Sequence, residues 1–247
     1  MVNRHTASKI RKTHRYLGIF LGIQFLMWTI SGLYFSWTDI DQIHGDHFLN
    51  LEYKQKSFKN LFNLSDIDIE EGIKSIEIKE YSNKPYYWIN NSKLYSAIDG
   101  KFKDGITKDE ALYIAKKRIQ SDLKISSIDI ITETSKHHEF RQRKGTGKLP
   151  AYVISYDNDE ALKAYISFNN GQFQTVRHRN WRIFDFLWMT HTMDYEGRDD
   201  FNNLILRLFS ILGLITVMSG FLLFYISSPS VRKLLKYLSV NKSKNKA

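Results

Sequence analysis

Histidines are the side chains best suited to bind a metal ion or a haem in this sequence, which has eight of them and no cysteine. The lack of cysteine excludes disulfides, thiol redox chemistry and covalent haem attachment through a C-x-x-C-H motif. Neutral imidazoles can still bind the iron of a non-covalent, b-type haem. The candidate haem ligands are His14, His44, His47 and His191.

Other chemical motifs are weak or missing. His44-Gly45-Asp46-His47 could also bind a divalent metal, although a solvated loop has the same composition. Residues 141–148 are the densest basic stretch. They either form a solvated hairpin loop or contact anionic headgroups or lipopolysaccharide, and they lack the G-K-[ST] ending of a phosphate loop. No nucleophile–base–acid constellation, zinc signature or nucleotide motif is present, so hydrolytic catalysis has no support and we do not expect an enzyme.

Two uncharged runs, at 16–37 and 208–231, flank the centre of the chain. Each is long enough to cross a hydrocarbon core of about 30 Å as a helix. A cleaved signal peptide is the alternative for the first run, but the run is too long for an h-region and no A-x-A site follows it. We therefore predict two transmembrane helices in the lipid bilayer, at 16–37 and 204–228.

The formal charge of +10 does not indicate nucleic-acid binding, because the excess positive charge lies in the two tails. Residues 38–203 carry 24 basic and 26 acidic side chains. Short Lys/Arg-rich flanks stay in the cytoplasm, so both termini should be cytoplasmic and the central domain should lie on the other side. In a host with two membranes, this places the chain in the inner membrane with a periplasmic domain.

Small residues recur at helical spacing in both predicted membrane helices and allow close approach of backbones in lipid. They predict a helix pair, within one chain or by self-association across a dimer, although glycine is also common in membrane helices generally. The first stripe contains Gly18, Gly22, Phe25, Thr29, Gly32 and Ser36, and the second contains Gly213, Thr216, Gly220 and Ser227.

A polar residue in the first apolar run marks a different face. Gln24 lies there with Trp28 and Ser31. Because an amide in the membrane needs a hydrogen-bonding partner, this face is a candidate second interface.

The central domain combines one helix with several strands. Residues 106–120 begin with Thr107 and Glu110 in capping-box spacing and place an apolar face on one side, which predicts a helix. Alternating or β-branched residues predict strands at 73–78, 125–131, 151–156 and 164–168. We predict an α+β domain with mainly antiparallel pairing.

A weak internal repeat relates the two halves of this domain. A strand beginning Pro85-Tyr86-Tyr87, then Leu94-Tyr95 and Asp99-Gly100-Lys101-Phe102, parallels one beginning Pro150-Ala151-Tyr152, then Ala164-Tyr165 and Asn170-Gly171-Gln172-Phe173. Chance similarity between two hairpins is the alternative, because turn chemistry alone selects Asn, Asp and Gly.

These features resemble the PepSY family. The resemblance rests on the helix at 106–115, the turn at Asn169-Asn170-Gly171, and the segments 14–18 and 185–191, which look like PepSY-associated transmembrane segments. The larger members commonly have four membrane helices, whereas this chain has two. The first PepSY-like unit also lacks an obvious capped helix.

The resemblance implies a membrane protein of α+β class with two transmembrane helices flanking a PepSY-like domain of antiparallel strands and a packed helix. The expected segments are a cytoplasmic basic tail (1–15), the first transmembrane helix (16–37), a degenerate PepSY-like unit (38–105), a second unit (106–180), an interfacial amphipathic segment (181–203), the second transmembrane helix (204–228) and a basic tail (229–247).

Two functions follow from the resemblance. PepSY domains are associated with inhibition or regulation of peptidases, which implies a non-enzymatic envelope module that binds a peptide or protein partner. The alternative is a haem-b electron-transfer component related to siderophore-iron reductases. Within one chain His14 and His191 are expected on opposite sides of the membrane and cannot share an iron. The remaining pairs are His44 or His47 with His191, if the first helix continues past Asp39, or two copies of His14 across a dimer.

Overall fold

The structure is a computed structural model that describes residues 4–120, 123–133, 139–140, 149–231, 233 and 237. The chain divides into two compact units. The first contains residues up to 36 and from 187 onward, and the second contains residues 37–186. The helices are α1 (Arg4–Trp37), α2 (Ile40–His44), α3 (Lys108–Arg118), α4 (Arg179–Thr192) and α5 (Leu204–Ser227), with short 3-10 turns at Asp46–Phe48 and Leu64–Asp66.

Two of these helices, α1 and α5, are long and apolar enough to cross a membrane, by length and composition. Helix α5 begins at the N-cap Asn203, whose side chain accepts a hydrogen bond from the Leu206 N–H. The segment expected as a basic tail, from Arg4 onward, forms the first turns of α1. Helix α1 ends at Trp37, and Asp39 caps the separate helix α2. The first helix therefore does not continue past Asp39.

The small residues of α5 are a packing surface, as predicted. Gly213 lies against the ring of Phe25, and Gly220 lies against the ring of His14. Both glycines accommodate large side chains of α1, so bulky residues of α1 pack against small residues of α5.

The predicted stripe of small residues on α1 is wrong as the packing face within this chain, except at Phe25. A Cβ built on Gly18, Gly22 or Gly32 would have no neighbour within 4 Å among the described atoms. The residues of α1 that do pack lie elsewhere on the helix: His14 contacts α5, Leu21 is buried, and Gln24, Trp28 and Ser31 contact the end of α4.

The second unit contains two four-stranded antiparallel sheets, which confirms the α+β class. The first sheet has the order β1 (Ile76–Tyr81), β2 (Lys84–Ile89), β3 (Lys93–Ser96) and β4 (Phe102–Lys103). The second has the order β5 (Ile125–Ile131), β6 (Ala151–Tyr156), β7 (Lys163–Ser167) and β8 (Phe173–Arg177).

Helix α3 packs between the two sheets and builds the main core. Its capping box is present, with Thr107 accepting from the Glu110 N–H and Glu110 accepting from the Thr107 N–H. The apolar face predicted for this helix is buried, and it joins side chains from both sheets in one cluster. The cluster includes Tyr81, Trp88, Leu94, Ile106, Ala111, Ile114, Ala115, Ile154, Ile166 and Val176.

The internal repeat is visible in equivalent backbone hydrogen bonds. Ala97 donates to the Pro85 carbonyl at 3.1 Å, as Phe168 donates to that of Pro150 at 2.9 Å. Each hairpin then closes with a glycine N–H donated four residues back, from Gly100 to Ser96 and from Gly171 to Ser167.

These bonds correct the sequence alignment by one residue. They make Ser96 equivalent to Ser167, so Tyr95 corresponds to Ile166 and not to Tyr165. No α-helix lies between α2 and β1, a segment described in full, so the first sheet lacks a helix in the position of α3.

Candidate functional site

A cleft of about 270 Å³ lies where α3 meets β1 of one sheet and the start of β8 of the other. The turn at Gly171 forms part of its wall, and the ring of Tyr81 packs on that turn. The side chains that determine its chemistry are Tyr53, Lys79, Glu80, Tyr113, Lys117, Arg118 and Phe173.

The end of α3 fixes one side of this cleft. The Arg118 carbonyl accepts from the Asn50 N–H at 2.7 Å, and Gln120 donates to the Phe48 carbonyl at 2.9 Å. The first bond satisfies a carbonyl that the C-terminal end of a helix leaves without an intrahelical partner. The two bonds also place Tyr53, three residues further on, against Arg118.

Glu80 is a buried carboxylate that holds the walls of the cleft together. It accepts from the hydroxyl of Tyr113 at 3.2 Å, the hydroxyl of Tyr53 at 3.4 Å and the backbone N–H of Lys56 at 3.1 Å. Burial, followed by the negative charge of Glu80, raises the pKa of Tyr53 and of Tyr113 above the usual value. Both phenols are therefore protonated donors at neutral pH.

Arg118 lines the cleft together with the cations Lys79 and Lys117. Its Cζ lies 5.7 Å from the centre of the Tyr53 ring and 5.4 Å from that of Phe173. Its Nε is buried and has no hydrogen-bond partner among the described residues. An arginine held by aromatic rings keeps its planar fork of N–H donors available for an anion.

The sequence did not reveal this site. Arg118 follows Lys116 and Lys117 at the end of a helix, where basic residues are common because they offset the helix dipole. Tyr53 and Glu80 belong to no motif. The site forms only when four separate parts of the chain meet.

The candidate ligands His14 and His191 are far apart in the first unit. His14 hydrogen-bonds through Nδ1 to Ser219 at 2.7 Å, and His191 hydrogen-bonds through Nδ1 to Ser31 at 2.6 Å. Ser31 and His14 are seventeen residues apart on α1, about 25 Å along a helix. The two imidazoles therefore cannot ligate the same iron.

The other two candidate histidines belong to the second unit. His44 ends α2, and the ring of His47 contacts that of His178 edge to face, with centres 5.5 Å apart. Two imidazoles in direct contact leave no space for a porphyrin between them, so His47 and His178 cannot be the two axial ligands of one haem in this structure. Pairing of His44 or His47 with His191 stays a prediction. Pairing of two His14 copies across a dimer remains a prediction.

No cluster of three or more His, Asp or Glu side chains that could hold a metal ion occurs within the described part of the chain. His44, Asp46 and His47 are therefore not gathered into such a cluster. The basic stretch 141–148 lies outside the described residues.

His178 is a buried histidine that the sequence did not single out. It is fully enclosed, and its Nε2 donates to the Ile43 carbonyl at 3.1 Å. Its Nδ1 lies 3.7 Å from Glu160 Oε2, and both of these atoms lack a hydrogen-bond partner among the described residues. Burial lowers the pKa of His178, and the nearby His47 lowers it further, against the opposing effects of Ile43 and Glu160.

The predicted second face of α1 is an interface with the end of α4. Gln24 donates to the Thr190 carbonyl at 3.0 Å, and Trp28 donates to the His191 carbonyl at 2.8 Å. Ser31 completes the face through its bond to the His191 ring. These side chains supply partners for carbonyls that have no partner within the helix.

Comparison with protein-family models, with curated proteins and with solved structures found no match to this chain.

Proposed function

We propose that this chain is a membrane-anchored, non-enzymatic binding protein of PepSY type. In this proposal α1 and α5 cross the inner membrane, both termini are cytoplasmic, and the α+β domain faces the periplasm. The domain binds an extended segment of a peptide or protein partner by strand addition. The observation that carries the proposal is the outer edge of β5, with which no described strand pairs.

Strand β5 is seven residues long, and five of them are exposed. It pairs with β6 on one side, and no described strand pairs with it on the other. Ile125 and Ile130 are exposed, whereas Ile128 and Ile131 pack on the core clusters. A long edge with exposed β-branched residues is a template for an added strand.

The other sheet edges are less open. Along β1, Gln55 donates to the Ile78 carbonyl at 2.7 Å, and Lys56 bonds to Glu80. Strand β4 has only two residues, and the turn at Gly45 packs against Val176 of β8. Proteins commonly cover or shorten edges in these ways. Strand β5 is therefore the favoured binding edge.

The charges support the topology in this proposal. The basic residues at the start of α1 and after α5 have no acidic neighbours in either tail, which favours retention of both ends in the cytoplasm. Gly18, Gly22 and Gly32 of α1 have no described neighbour within 4 Å of an added Cβ, and they offer a surface for self-association in lipid.

Photo-crosslinking tests the proposal. A photoreactive residue at Ser126 of the full-length chain, in native envelopes, is expected to give a discrete crosslinked product. Ile130→Lys should abolish it, because a lysine on an edge strand opposes strand addition. Ile76→Lys is the matched control on the edge strand of the other sheet and should retain the product. A product unaffected by Ile130→Lys, or no product at all, would contradict the proposal.

A further inference from the structure

We propose that the cleft between the two sheets is a binding site for a carboxylate group, with Arg118 as the residue that binds it. The site would take either the free C-terminus of a peptide or a small carboxylic acid. This inference deepens the proposed binding function by naming a chemical group of the ligand, but it concerns a surface separate from β5.

The Arg118 side chain is held between two aromatic rings, and its Nε has no hydrogen-bond acceptor among the described residues. Its position between Tyr53 and Phe173 restricts the guanidinium, so little further ordering is needed when a ligand binds. A buried N–H without an acceptor is unfavourable, and Arg118 Nε is such a group among the described residues. A carboxylate can accept two parallel hydrogen bonds from a guanidinium.

The residues around Arg118 do not already supply this carboxylate. Glu80 lines the same cleft, but its oxygens accept hydrogen bonds from Tyr53, Tyr113 and the Lys56 N–H. No described ion pair joins Glu80 to Arg118. Glu80 therefore positions the aromatic walls and leaves the guanidinium to a ligand.

The charge balance of the cleft favours a singly charged anion. Lys79 is paired with Glu77, and Lys117 lies over the ring of Tyr113. Glu80 adds a negative charge beside Arg118. A phosphate carries more charge and is usually held by several backbone N–H groups at a nest or helix N-terminus, whereas this cleft lies at the C-terminal end of α3.

The size of the cleft limits the ligand. About 270 Å³ is slightly less than small-molecule sites usually offer, so the cleft suits a chain end or a small acid. The rings of Tyr53, Tyr113 and Phe173 give it apolar walls, which would contact the carbon atoms next to the carboxylate.

The test is a titration of the full-length chain in detergent with three probes, in which binding is measured by ligand-observed NMR. These are acetyl-trialanine with a free carboxylate, the same peptide as its C-terminal amide, and propionate. We expect the acid peptide to bind at least about tenfold more tightly than the amide. If propionate binds much more weakly than the acid peptide, the ligand is a peptide end. If propionate binds with equal affinity, the ligand is a small acid.

Variants assign the site. Arg118→Gln should weaken binding of the acid peptide by about tenfold to a hundredfold. Arg118→Lys keeps the charge but loses the planar fork of donors, so its affinity should lie between those of wild type and Arg118→Gln. Lys124→Gln is the control: it removes a highly exposed cation that does not line the cleft and should leave binding of the acid peptide unchanged.

Equal binding of acid and amide, no binding of any probe, or full binding by a folded Arg118→Gln variant would overturn the inference. The acid–amide comparison decides it even if that variant fails to fold. If the carboxylate inference is overturned, the crosslinking expected at β5 is unaffected. The two proposals therefore fail separately.

Discussion

The indole N–H of Trp28 donates to the backbone carbonyl of His191 at 2.8 Å, and this bond joins the middle of α1 to the last turn of α4. The neighbouring carbonyls have partners as well. Gln24 donates to Thr190, and Asn203 donates to Thr192 at 3.0 Å. The end of α4 therefore depends on side chains outside its own helix, where an unpaired carbonyl would be costly.

Trp28→Phe tests the contribution of this contact. The substitution keeps an aromatic ring but removes the donor, so the free energy of unfolding should fall by about 1–2 kcal/mol. Unfolding of the full-length chain by denaturing detergent measures it. Trp37→Phe is the control, since Trp37 is 84% exposed and should give almost no change. Equal effects of the two substitutions would show that the Trp28 bond adds no stability.

Gly171→Ala tests the close packing of the second hairpin turn. Gly171 has φ +60°, and an added Cβ would lie 2.9 Å from Ile114 Cδ1. Gly72 has a similar φ of +67° but open space around it. Gly72→Ala should therefore cost about 1 kcal/mol from backbone strain alone. Gly171→Ala should cost about 3 kcal/mol, because overpacking is added.

Urea unfolding of the full-length chain, followed by near-ultraviolet circular dichroism, compares these two alanine variants. Gly100→Ala should lose about as much stability as Gly171→Ala, since its added Cβ would meet the ring of Phe62 at 2.5 Å. If all three variants lost equal stability, close packing at the two hairpin turns would add nothing to the cost of backbone strain.

Local signals predicted the elements well where one interaction dominates. The capping box at Thr107 and Glu110 fixed the start of α3, and the β-branched run at 125–131 is the whole of β5. Periodicity placed the start of the first strand three residues too early, at 73, because the side chain of Asn90 accepts from the N–H groups of Lys74 and Ser75. These bonds form a local turn, and β1 begins only at Ile76.

Sequence patterns could not predict which residues meet across the fold. The glycines of α1 suggested a close helix contact, but the contact uses the glycines of α5 against the large side chains of α1. The cleft is a stronger case, because Tyr53, Glu80, Arg118 and Phe173 have no shared period or spacing. Such sites depend on tertiary packing, which a single sequence does not display.

Asp194→Asn tests the loop between α4 and α5. The Asp194 carboxylate accepts backbone N–H bonds from Glu196, Gly197, Asp199 and Asp200 at 2.9–3.2 Å. Burial opposes ionisation, but these four bonds outweigh it and hold the pKa of Asp194 below its usual range. The asparagine variant has one acceptor oxygen, so stability should fall by about 3 kcal/mol.

Limited proteolysis and thermal unfolding measure this effect at neutral pH. Asp200→Asn is a graded control, since Asp200 accepts only the described bond from the Asn202 N–H and should lose less stability. Because the pKa is depressed in the folded state, the contribution of Asp194 should persist down to about pH 4 and be lost below it. Equal protease resistance of wild type and Asp194→Asn would refute this role.

His178 should make folding stability depend on pH in the weakly acidic range. Its ring is neutral in the fold, with Nε2 donating to Ile43 and Nδ1 facing Glu160 without a bond. Burial holds the pKa of His178 below its usual value. The unfolded chain therefore takes up a proton first as pH falls below about 6.5. Stability is unaffected above that pH and declines below it, until the folded-state pKa is reached.

His178→Gln removes this titration but keeps an amide that can donate to the Ile43 carbonyl. The variant should be less stable than wild type at pH 8, yet its stability should change less between pH 7 and pH 5. The difference in slope is at most about 1.4 kcal/mol per pH unit for one proton. His44→Gln, which alters an exposed histidine on the neighbouring helix, should keep the wild-type slope. Urea unfolding at a series of pH values measures all three proteins, and a wild-type slope in His178→Gln would assign the pH dependence to another group.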